Sequence, residues 1–455
     1  MIVHPGESRR RGWQGFSPSQ LVSVSFLLLI LAGTALLLLP ISRSGPESPE
    51  FTTALFTATS ATCLTGLTVV DTATYWSHFG QVVIMLLIQV GGLGIMTLAT
   101  VVSFILAGQM GVKGRLRAAA EQRGRNLGEI RTIIFGTIGF SLAVELVIAI
   151  VLTFRFASGY GYGFLPAVWE GTFHAISAFN NAGFGLRSDN LMPYVNDAGI
   201  ILPIAAGIVI GGLGFPVLLE LRARWRSKVK HPPSLTLIFT LTGTAILLVV
   251  GTVGFALMEW TNALRDLTPL SALQAAFFHS VSSRTAGFNS VDLTELRPSS
   301  LMLTDFLMFI GGGSGGTAGG VKVTTAAVLV AVLIAEVRGD EQLLVAGRRI
   351  PSRIVRQAMA VFMMAFLLVG GSIMALQLLL PQYDSHQITF ETISAFATVG
   401  LTTGITPELP DFARLWLVVL MYLGRIGPIT VVAALAARTN QRLYSCLLYT
   451  SPSPR

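Results

Sequence analysis

Charged side chains are scarce in this sequence. Asp, Glu, Lys and Arg make up only 12% of its 455 residues, whereas apolar residues make up 52% and the mean hydropathy is +0.68. Because soluble proteins carry about 25% charged residues, this composition excludes an ordinary soluble domain and predicts several membrane crossings. The apolar runs lack the alternation of barrel strands, and backbone polar groups inside a bilayer need internal partners. We therefore expect an all-α polytopic membrane protein.

Residues for covalent or metal chemistry are also few. The two cysteines, Cys63 and Cys446, fall on opposite predicted sides of the membrane, so a disulfide framework is not expected. The six histidines are scattered, and no Ser/His/Asp or Cys/His set emerges. We expect neither an enzyme nor a covalently bound cofactor.

The net charge of +8 is unevenly distributed. Basic residues cluster in four stretches, which are 9–11, 113–131, 222–230 and 338–356. An excess of Lys and Arg marks cytoplasmic loops. This asymmetry predicts a protein of the cell (inner) membrane with both termini and the three basic linkers in the cytoplasm, and it argues against a nucleic-acid partner.

A short glycine segment occurs four times. The copies run from Ser60 to Leu67, from Ser177 to Phe184, from Ser282 to Phe288 and from Ser394 to Leu401. An apolar stretch precedes each copy and is too short for a bilayer, which needs about 20 residues. We interpret each stretch as a half-helix that enters from the outer face between two full spans.

This pattern divides the chain into four repeats. The predicted regions are a cytoplasmic N-terminus 1–17, repeat one 18–108, repeat two with its preceding basic linker 109–223, repeat three 224–337, repeat four 338–440 and an irregular tail 441–455. The predicted half-helices are 51–61, 167–179, 270–282 and 387–396, and the second span of repeat two is 197–221. Because each repeat crosses twice, all four begin on the same side and share an axis along the membrane normal. They predict a central pore with pseudo-fourfold symmetry, as in potassium channels.

The four glycine segments predict a selectivity filter. Such a filter aims backbone carbonyls at an ion, and glycine permits the backbone conformations that this requires. The preceding half-helices direct their partly negative ends toward the pore, which favours a cation. The candidate potassium-binding residues are Leu64, Thr65, Gly66, Asn181, Ala182, Gly183, Thr285, Ala286, Gly287, Thr398, Val399 and Gly400. The alternative, simple chain reversal at four glycines, leaves the half-helices unexplained.

A glycine-rich stretch at 311–320 interrupts the second span of repeat three. Each glycine costs a helix about 1 kcal/mol relative to alanine, so a continuous helix is not expected. Irregular backbone at membrane depth lines a cavity or is buried by protein. The candidate gate residues are Gly311, Gly312, Gly313, Ser314, Gly315, Gly316, Thr317, Gly319, Gly320, Lys322 and Arg425. A dinucleotide-binding glycine motif would need a preceding strand, which the flanking apolar runs do not suggest.

Two basic residues accompany this stretch. Lys322 could donate to carbonyls of the loop or extend its amine toward the cytoplasm. Arg425 lies within the last span, where an ionisable residue indicates function. On the pore axis Arg425 would repel cations; the alternative is a structural ion pair with Glu145.

These motifs together carry a family resemblance. The four glycine segments, the strings Phe179-Asn-Asn-Ala-Gly-Phe184 and Arg284-Thr-Ala-Gly-Phe-Asn289, and the glycine-rich break resemble the Trk/Ktr/HKT superfamily of cation transporters over residues 18–440. The chain is most similar to the Ktr-type branch. The resemblance implies potassium selectivity from glycine at all four filter positions, an intramembrane gate loop and a pore arginine. It also implies a homodimer and a cytosolic nucleotide-binding regulatory subunit.

The expected function is potassium uptake, channel-like or assisted by Na+. The alternatives are a sodium-permeable transporter of the same family, a solute symporter with a site at the membrane midplane, and a membrane scaffold without flux.

Overall fold

The computed structural model describes residues 18–107, 126–226, 232–340 and 342–427. The predicted N-terminus 1–17, the linker residues 108–125, the end of the last span and the tail 441–455 lie outside these ranges. The described part is helical apart from one hairpin, in which Leu344–Val345 pairs with Arg348–Arg349.

Each repeat contains a central helix of 13 to 16 residues between flanking helices. The central helices, here called pore helices 1 to 4, are Phe51–Cys63, Phe164–Phe179, Pro269–Ser282 and Ser385–Ala397. The flanking helices are Pro18–Leu37 and His78–Ala107, then Asn126–Gly159, Ala198–Leu213 and Phe215–Arg226, then Leu235–Glu259, Pro298–Phe309 and Val323–Arg338, and finally Ser352–Leu379 and Asp411–Ile426. A short helix, Thr72–Tyr75, lies in the connection that follows pore helix 1.

The pore helices begin where local sequence signals place them. Pro269 occupies the first turn of pore helix 3, and the Thr268 hydroxyl accepts a hydrogen bond from Ser271 N at 3.3 Å. Asp384 and Gln387 form a capping box at the start of pore helix 4. The predicted half-helices match these elements to within three residues, the largest difference being 167 against Phe164.

The second span of repeat two differs from the prediction. We expected one helix over 197–221, but the chain bends by 96° between Ala198–Leu213 and Phe215–Trp225. Gly214 at the bend has φ +91°, and a Cβ there would lie 2.7 Å from Ser314 O. The bend exists because the glycine-rich stretch of repeat three packs into this corner. The second span of repeat three is broken between Phe309 and Val323, as predicted.

The flanking helices turn apolar side chains outward. Three unbroken helices in the described ranges are long and apolar enough to cross a membrane, and the bent pair of repeat two would make a fourth. Their apolar windows in Ile134–Gly159, Leu235–Glu259 and Ser352–Leu379 are only 22%, 28% and 28% buried. Such exposure is expected where lipid is the solvent.

The core links the repeats in a closed order. The phenylalanines near the middle of the four pore helices, Phe56, Phe173, Phe278 and Phe390, are at most 1% exposed. Phe173 packs in a cluster made mainly of repeat-one residues, Phe278 among repeat-two residues and Phe390 among repeat-three residues. Phe56 packs among repeat-four residues, which closes the circle. Each pore helix therefore places one phenylalanine in the core of the preceding repeat.

Candidate functional site

The four pore helices end in the same backbone conformation. The residue two positions before each glycine is left-handed, with φ of 58° at Leu64, 56° at Asn181, 73° at Thr285 and 51° at Thr398. The glycines also have positive φ, of 86° at Gly66, 71° at Gly183, 78° at Gly287 and 96° at Gly400. Positive φ is uncommon outside glycine, so its recurrence at equivalent positions marks four copies of one structure. We call 64–66, 181–183, 285–287 and 398–400 filter segments 1 to 4.

The glycines meet in a ring. A Cβ on Gly66 would lie 2.5 Å from Ala182 O, and one on Gly183 would lie 2.7 Å from Ala286 O. A Cβ on Gly287 would meet Val399 O, and one on Gly400 would meet Thr65 O. The last of these contacts joins repeat four to repeat one. Each glycine thus faces a carbonyl of the next repeat, and a side chain at any of the four positions would collide with the ring.

A serine of each pore helix holds its filter segment. Ser60 O accepts from Thr65 N at 2.8 Å, Ser177 O from Ala182 N at 2.8 Å and Ser394 O from Val399 N at 2.9 Å. In the third copy, which is one residue shorter, Ser282 O accepts from Ala286 N at 2.9 Å. The acceptor is a backbone carbonyl, so this bond fixes the segment without requiring serine; in the fourth copy the Ser394 hydroxyl also accepts from Gly400 N at 3.1 Å.

The ring is rich in oxygen. Within the described residues, the buried hydroxyls of Thr65, Thr285 and Thr398 have no hydrogen-bond partner. Carbonyl oxygens can replace the hydration shell of an ion, and the helix ends beside them carry partial negative charge. The arrangement therefore suits a desolvated cation.

The glycine-rich residues 311–320, here called the gate loop, form a compact turn against the ring. The loop is closed on itself, because Gly311 N donates to Val321 O at 2.9 Å and Val323 N donates to Gly312 O at 3.0 Å. Gly313 N donates to Gly212 O at 2.8 Å, which joins the loop to repeat two.

The gate loop also contacts three filter segments. The Thr317 hydroxyl donates to Asn181 Oδ1 at 3.1 Å. A Cβ on Gly311 would lie 3.4 Å from Thr285 Cγ2, and one on Gly319 would meet the Thr398 hydroxyl. Glycine is needed here because the loop lies directly against the filter.

Both predicted basic residues donate to this loop. The Lys322 amine donates to Ala318 O, so it contacts the loop rather than extending away from it. Arg425 is 5% exposed; its Nη1 donates to Thr317 O, and its Nη2 lies 3.5 Å from Gly91 O. Arg425 thus joins the gate loop to repeats one and four.

Glu145 has partners other than Arg425. Its carboxylate accepts from Gln89 Nε2 at 3.0 and 3.1 Å and from Asn180 Nδ2 at 3.1 Å. This buried network connects the second helix of repeat one to the end of pore helix 2. The alternative of an ion pair between Glu145 and Arg425 does not describe the structure.

Glycines of the second spans have a packing role. Gly91, Gly211 and Gly424 lie against the carbonyls of Thr62, Phe179 and Phe396 near the ends of their pore helices. Small residues permit such close approach between helices.

Sequence reasoning missed two buried charges beside the filter. Arg284 is 7% exposed, and its Nη2 donates to Thr244 Oγ1 and to Gly311 O, both at 3.3 Å. Glu391, on pore helix 4, is 1% exposed and accepts hydrogen bonds from the residues after filter segment 4. For Glu391, a charged residue within a predicted half-helix was the available signal.

Comparison with known proteins agrees with this architecture. The family model TrkH, described as cation transport protein, matches residues 16–444. Ktr system potassium uptake protein B from Bacillus subtilis is 41% identical over 431 residues, covering 94% of this chain and 95% of that protein. Potassium/sodium uptake protein NtpJ from Enterococcus hirae is 36% identical over 438 residues, covering 95% and 96%.

A solved structure shares the fold. The crystal structure of the potassium transporter TrkH from Vibrio parahaemolyticus matches with a TM-score of 0.71 at 22% identity, covering 94% of this chain and 86% of that one. The predicted fold class, an all-α membrane protein with four repeats around a pore, and the predicted family are both confirmed. This chain belongs to the TrkH family of cation transport proteins.

Proposed function

We propose that this protein takes up potassium ions across the cell membrane through the ring formed by filter segments 1 to 4. The closed contact of the four glycines carries the proposal, because it brings carbonyls from all four repeats to one axis. The names of the relatives from Bacillus subtilis and Enterococcus hirae, both potassium uptake proteins, support the choice of ion.

The proposed mechanism is dehydration at the ring. A potassium ion exchanges water for carbonyl oxygens such as Thr65 O and Ala182 O, with the pore-helix ends stabilising its charge. No covalent step and no cofactor are involved. The electrochemical gradient supplies the driving force for entry.

The gate loop controls passage in this proposal. Its contacts with Asn181, Thr285 and Thr398 hold it at the end of the filter, and Arg425 and Lys322 bind its carbonyls. Opening requires the loop to leave these donors. The positive charge of Arg425 adds an electrostatic barrier to cations while the loop is in place.

Sodium is the second candidate ion. The relative from Enterococcus hirae is named a potassium/sodium uptake protein, which supports Na+ either as an ion that accompanies K+ or as one that permeates in its place. Glycine at all four ring positions favours potassium as the principal ion, and the uptake assay below separates the two.

We further propose that the protein is the membrane subunit of a larger assembly. Two relatives are named as potassium uptake proteins of a Ktr system, which supports a further subunit. The family resemblance implies that this subunit is cytosolic, regulatory and nucleotide-binding, and that the membrane protein is a homodimer. The basic clusters support an orientation with both termini in the cytoplasm, where such a subunit would bind.

The test compares Gly400→Ser with Gly161→Ser in proteoliposomes. Both glycines have positive φ, +96° at Gly400 and +68° at Gly161, but a Cβ on Gly161, which precedes pore helix 2, would meet nothing within 4 Å. Rubidium and sodium uptake are measured with the full chain. We expect Gly400→Ser to lower the K+/Na+ selectivity about tenfold, the factor that about 1.4 kcal/mol represents, because the new side chain displaces Thr65 O.

Gly161→Ser controls for backbone strain and should retain the selectivity of the unmodified protein. Equal selectivity in both variants and the unmodified protein would place the ion pathway elsewhere. Saturable uptake of an organic solute would favour the symporter.

A further inference from the structure

Glu391 is a buried carboxylate that the proposed mechanism does not use. It lies on pore helix 4, nine residues before Gly400, and is 1% exposed. Burial of a carboxylate is unfavourable unless hydrogen bonds compensate it. The partners of Glu391 therefore indicate what it does.

All of these partners follow filter segment 4 in the chain. Glu391 Oε1 accepts from Thr402 Oγ1 at 2.6 Å, from Thr403 N at 2.9 Å and from Thr403 Oγ1 at 3.2 Å. Oε2 accepts from Thr406 Oγ1 at 2.6 Å. One carboxylate thus organises the chain from Thr402 to Thr406.

These bonds fix the residues that follow filter segment 4, whereas Ser394 fixes the segment itself. Ser394 fixes the near end, because its carbonyl accepts from Val399 N at 2.9 Å and its hydroxyl accepts from Gly400 N at 3.1 Å. Glu391 fixes the residues immediately after Gly400. The Val399 and Gly400 carbonyls lie between these two anchors.

Of the four equivalent pore-helix positions, which hold Thr57, His174, His279 and Glu391, only that of repeat four has a carboxylate. The equivalent pore-helix residues in repeats two and three are His174, whose Nδ1 lies 2.9 Å from Glu170 O, and His279, whose Nε2 lies 2.9 Å from Thr304 Oγ1. In repeat three the post-filter segment is held by its own aspartate, since Asp292 Oδ1 accepts from Thr294 N at 2.9 Å. Repeat four has no aspartate between Gly400 and Asp411. There the carboxylate comes from Glu391, which lies on the pore helix before the filter segment.

We propose that Glu391 is a positioning residue that fixes filter segment 4 and thereby sets the discrimination between K+ and Na+. This inference rests on the proposed function. The size of an oxygen cage and the field of its carbonyls both depend on where the oxygens are held. If Glu391 is lost, the carbonyls of segment 4 move inward and accommodate the smaller ion.

The test uses Glu391→Gln and Thr406→Val in the full chain. Glutamine keeps the shape but has one acceptor oxygen and turns an NH2 group toward hydroxyl donors. We expect the K+/Na+ uptake ratio to fall about tenfold in Glu391→Gln, because all four hydrogen bonds lose their charged acceptor. Thr406→Val keeps the carboxylate and removes one 2.6 Å bond, so we expect a smaller fall of about threefold. Glu408→Gln, an exposed acid in the same segment, is the matched control and should leave the ratio unchanged.

A second readout does not depend on flux. An ion that binds the folded state raises the unfolding temperature, so thermal unfolding in KCl and NaCl reports the two affinities. We expect the K+ concentration for half-maximal stabilisation to rise in Glu391→Gln and Thr406→Val, and to stay constant in Glu408→Gln. If Glu391→Gln does not fold, Thr406→Val decides.

The failures are distinguishable. If the unmodified protein shows neither potassium uptake nor K+-specific stabilisation, the proposed function and this inference both fail. If the unmodified protein selects K+ and both variants match it, only the role of Glu391 is refuted. If Glu391→Gln loses selectivity while Thr406→Val keeps it, the charge acts directly on the ion and positioning is refuted.

Discussion

Arg425 offers the sharpest test of the gate. Its Nη1 donates to Thr317 O in the gate loop, and it belongs to a different repeat from the loop. The substitution Arg425→Met keeps a long side chain and removes both the charge and the donors. If this hydrogen bond holds the loop in place, its loss favours the open state.

The structure gives the expected size of this effect. A hydrogen bond from a charged group contributes about 1.5–3 kcal/mol. Because each 1.4 kcal/mol is a factor of ten, its loss shifts the open-to-closed ratio by about 10- to 100-fold. The distant Gly91 carbonyl, at 3.5 Å from Nη2, adds little. Removal of the positive charge lowers the barrier to cations, so both effects raise uptake.

The assay is the initial rate of rubidium uptake into proteoliposomes at low external potassium. Arg414→Met is the matched control, because Arg414 lies on the same helix but donates to Pro407 O at 2.7 Å, away from the gate loop. Lys322→Met distinguishes the loss of a positive charge from the loss of a bond between repeats. Lys322 donates to Ala318 O of its own repeat, so this variant removes a charge but no contact between repeats. We expect the greatest increase in Arg425→Met, a smaller one in Lys322→Met and none in Arg414→Met. Uptake by folded Arg425→Met at or below the unmodified rate would refute the tether.

Two further predictions concern stability, measured by thermal unfolding in detergent. Gly424→Ala places a methyl group on a carbonyl at the end of pore helix 4, so we expect the free energy of unfolding to fall by about 1–3 kcal/mol. Gly370→Ala is the control, because a Cβ there would meet nothing within 4 Å; its free energy of unfolding should stay the same or rise by up to about 1 kcal/mol. An unchanged midpoint in Gly424→Ala would contradict the packing role. Glu145→Ala leaves Gln89 Nε2 without its buried acceptor, whereas Asn180 Nδ2 keeps Gln89 Oε1 and Ile176 O as acceptors, so we expect a loss of about 1–3 kcal/mol. Glu145→Gln retains one acceptor oxygen and should lose less; equal midpoints in all three proteins would show that the network contributes no stability.

Much of the fold could be predicted because its signals are local. A stretch such as 51–61 is too short to cross a bilayer, and this alone distinguishes a half-helix from a span. Gly66 and Gly400 indicated the turns that end the half-helices, because positive φ is inexpensive only for glycine. Seven glycines in 311–320 exclude a continuous helix at that point. Each of these constraints acts within a few residues.

The bend at Gly214 was not predicted, although the sequence carries a local signal for a helix end there. Gly214 follows Gly211 and Gly212, and Pro216 comes two residues later, a pattern typical of a helix end. The run from Ala198 to Trp225 is nevertheless apolar enough to form one span, and the local signal does not give the size or direction of the bend. The chain turns there because Ser314 and Gly315 of repeat three occupy the corner, and Phe215 N donates to Gly315 O at 3.3 Å. The residues that occupy this corner lie about a hundred positions from Gly214 in the chain. No pattern within a few residues of Gly214 indicates such a distant contact.

By itself, the sequence determined that the chain spans a membrane, that it has four repeats, and which glycines and which arginine to examine. Only the tertiary structure decided that Phe56 closes the circle against repeat four, that Arg425 binds the Thr317 carbonyl rather than Glu145, and that Glu391 holds Thr402 to Thr406. The physical reason is that these partners are backbone carbonyls and buried side chains brought together by packing between repeats. A carbonyl is present at every residue, so no sequence pattern identifies the one that a side chain will reach.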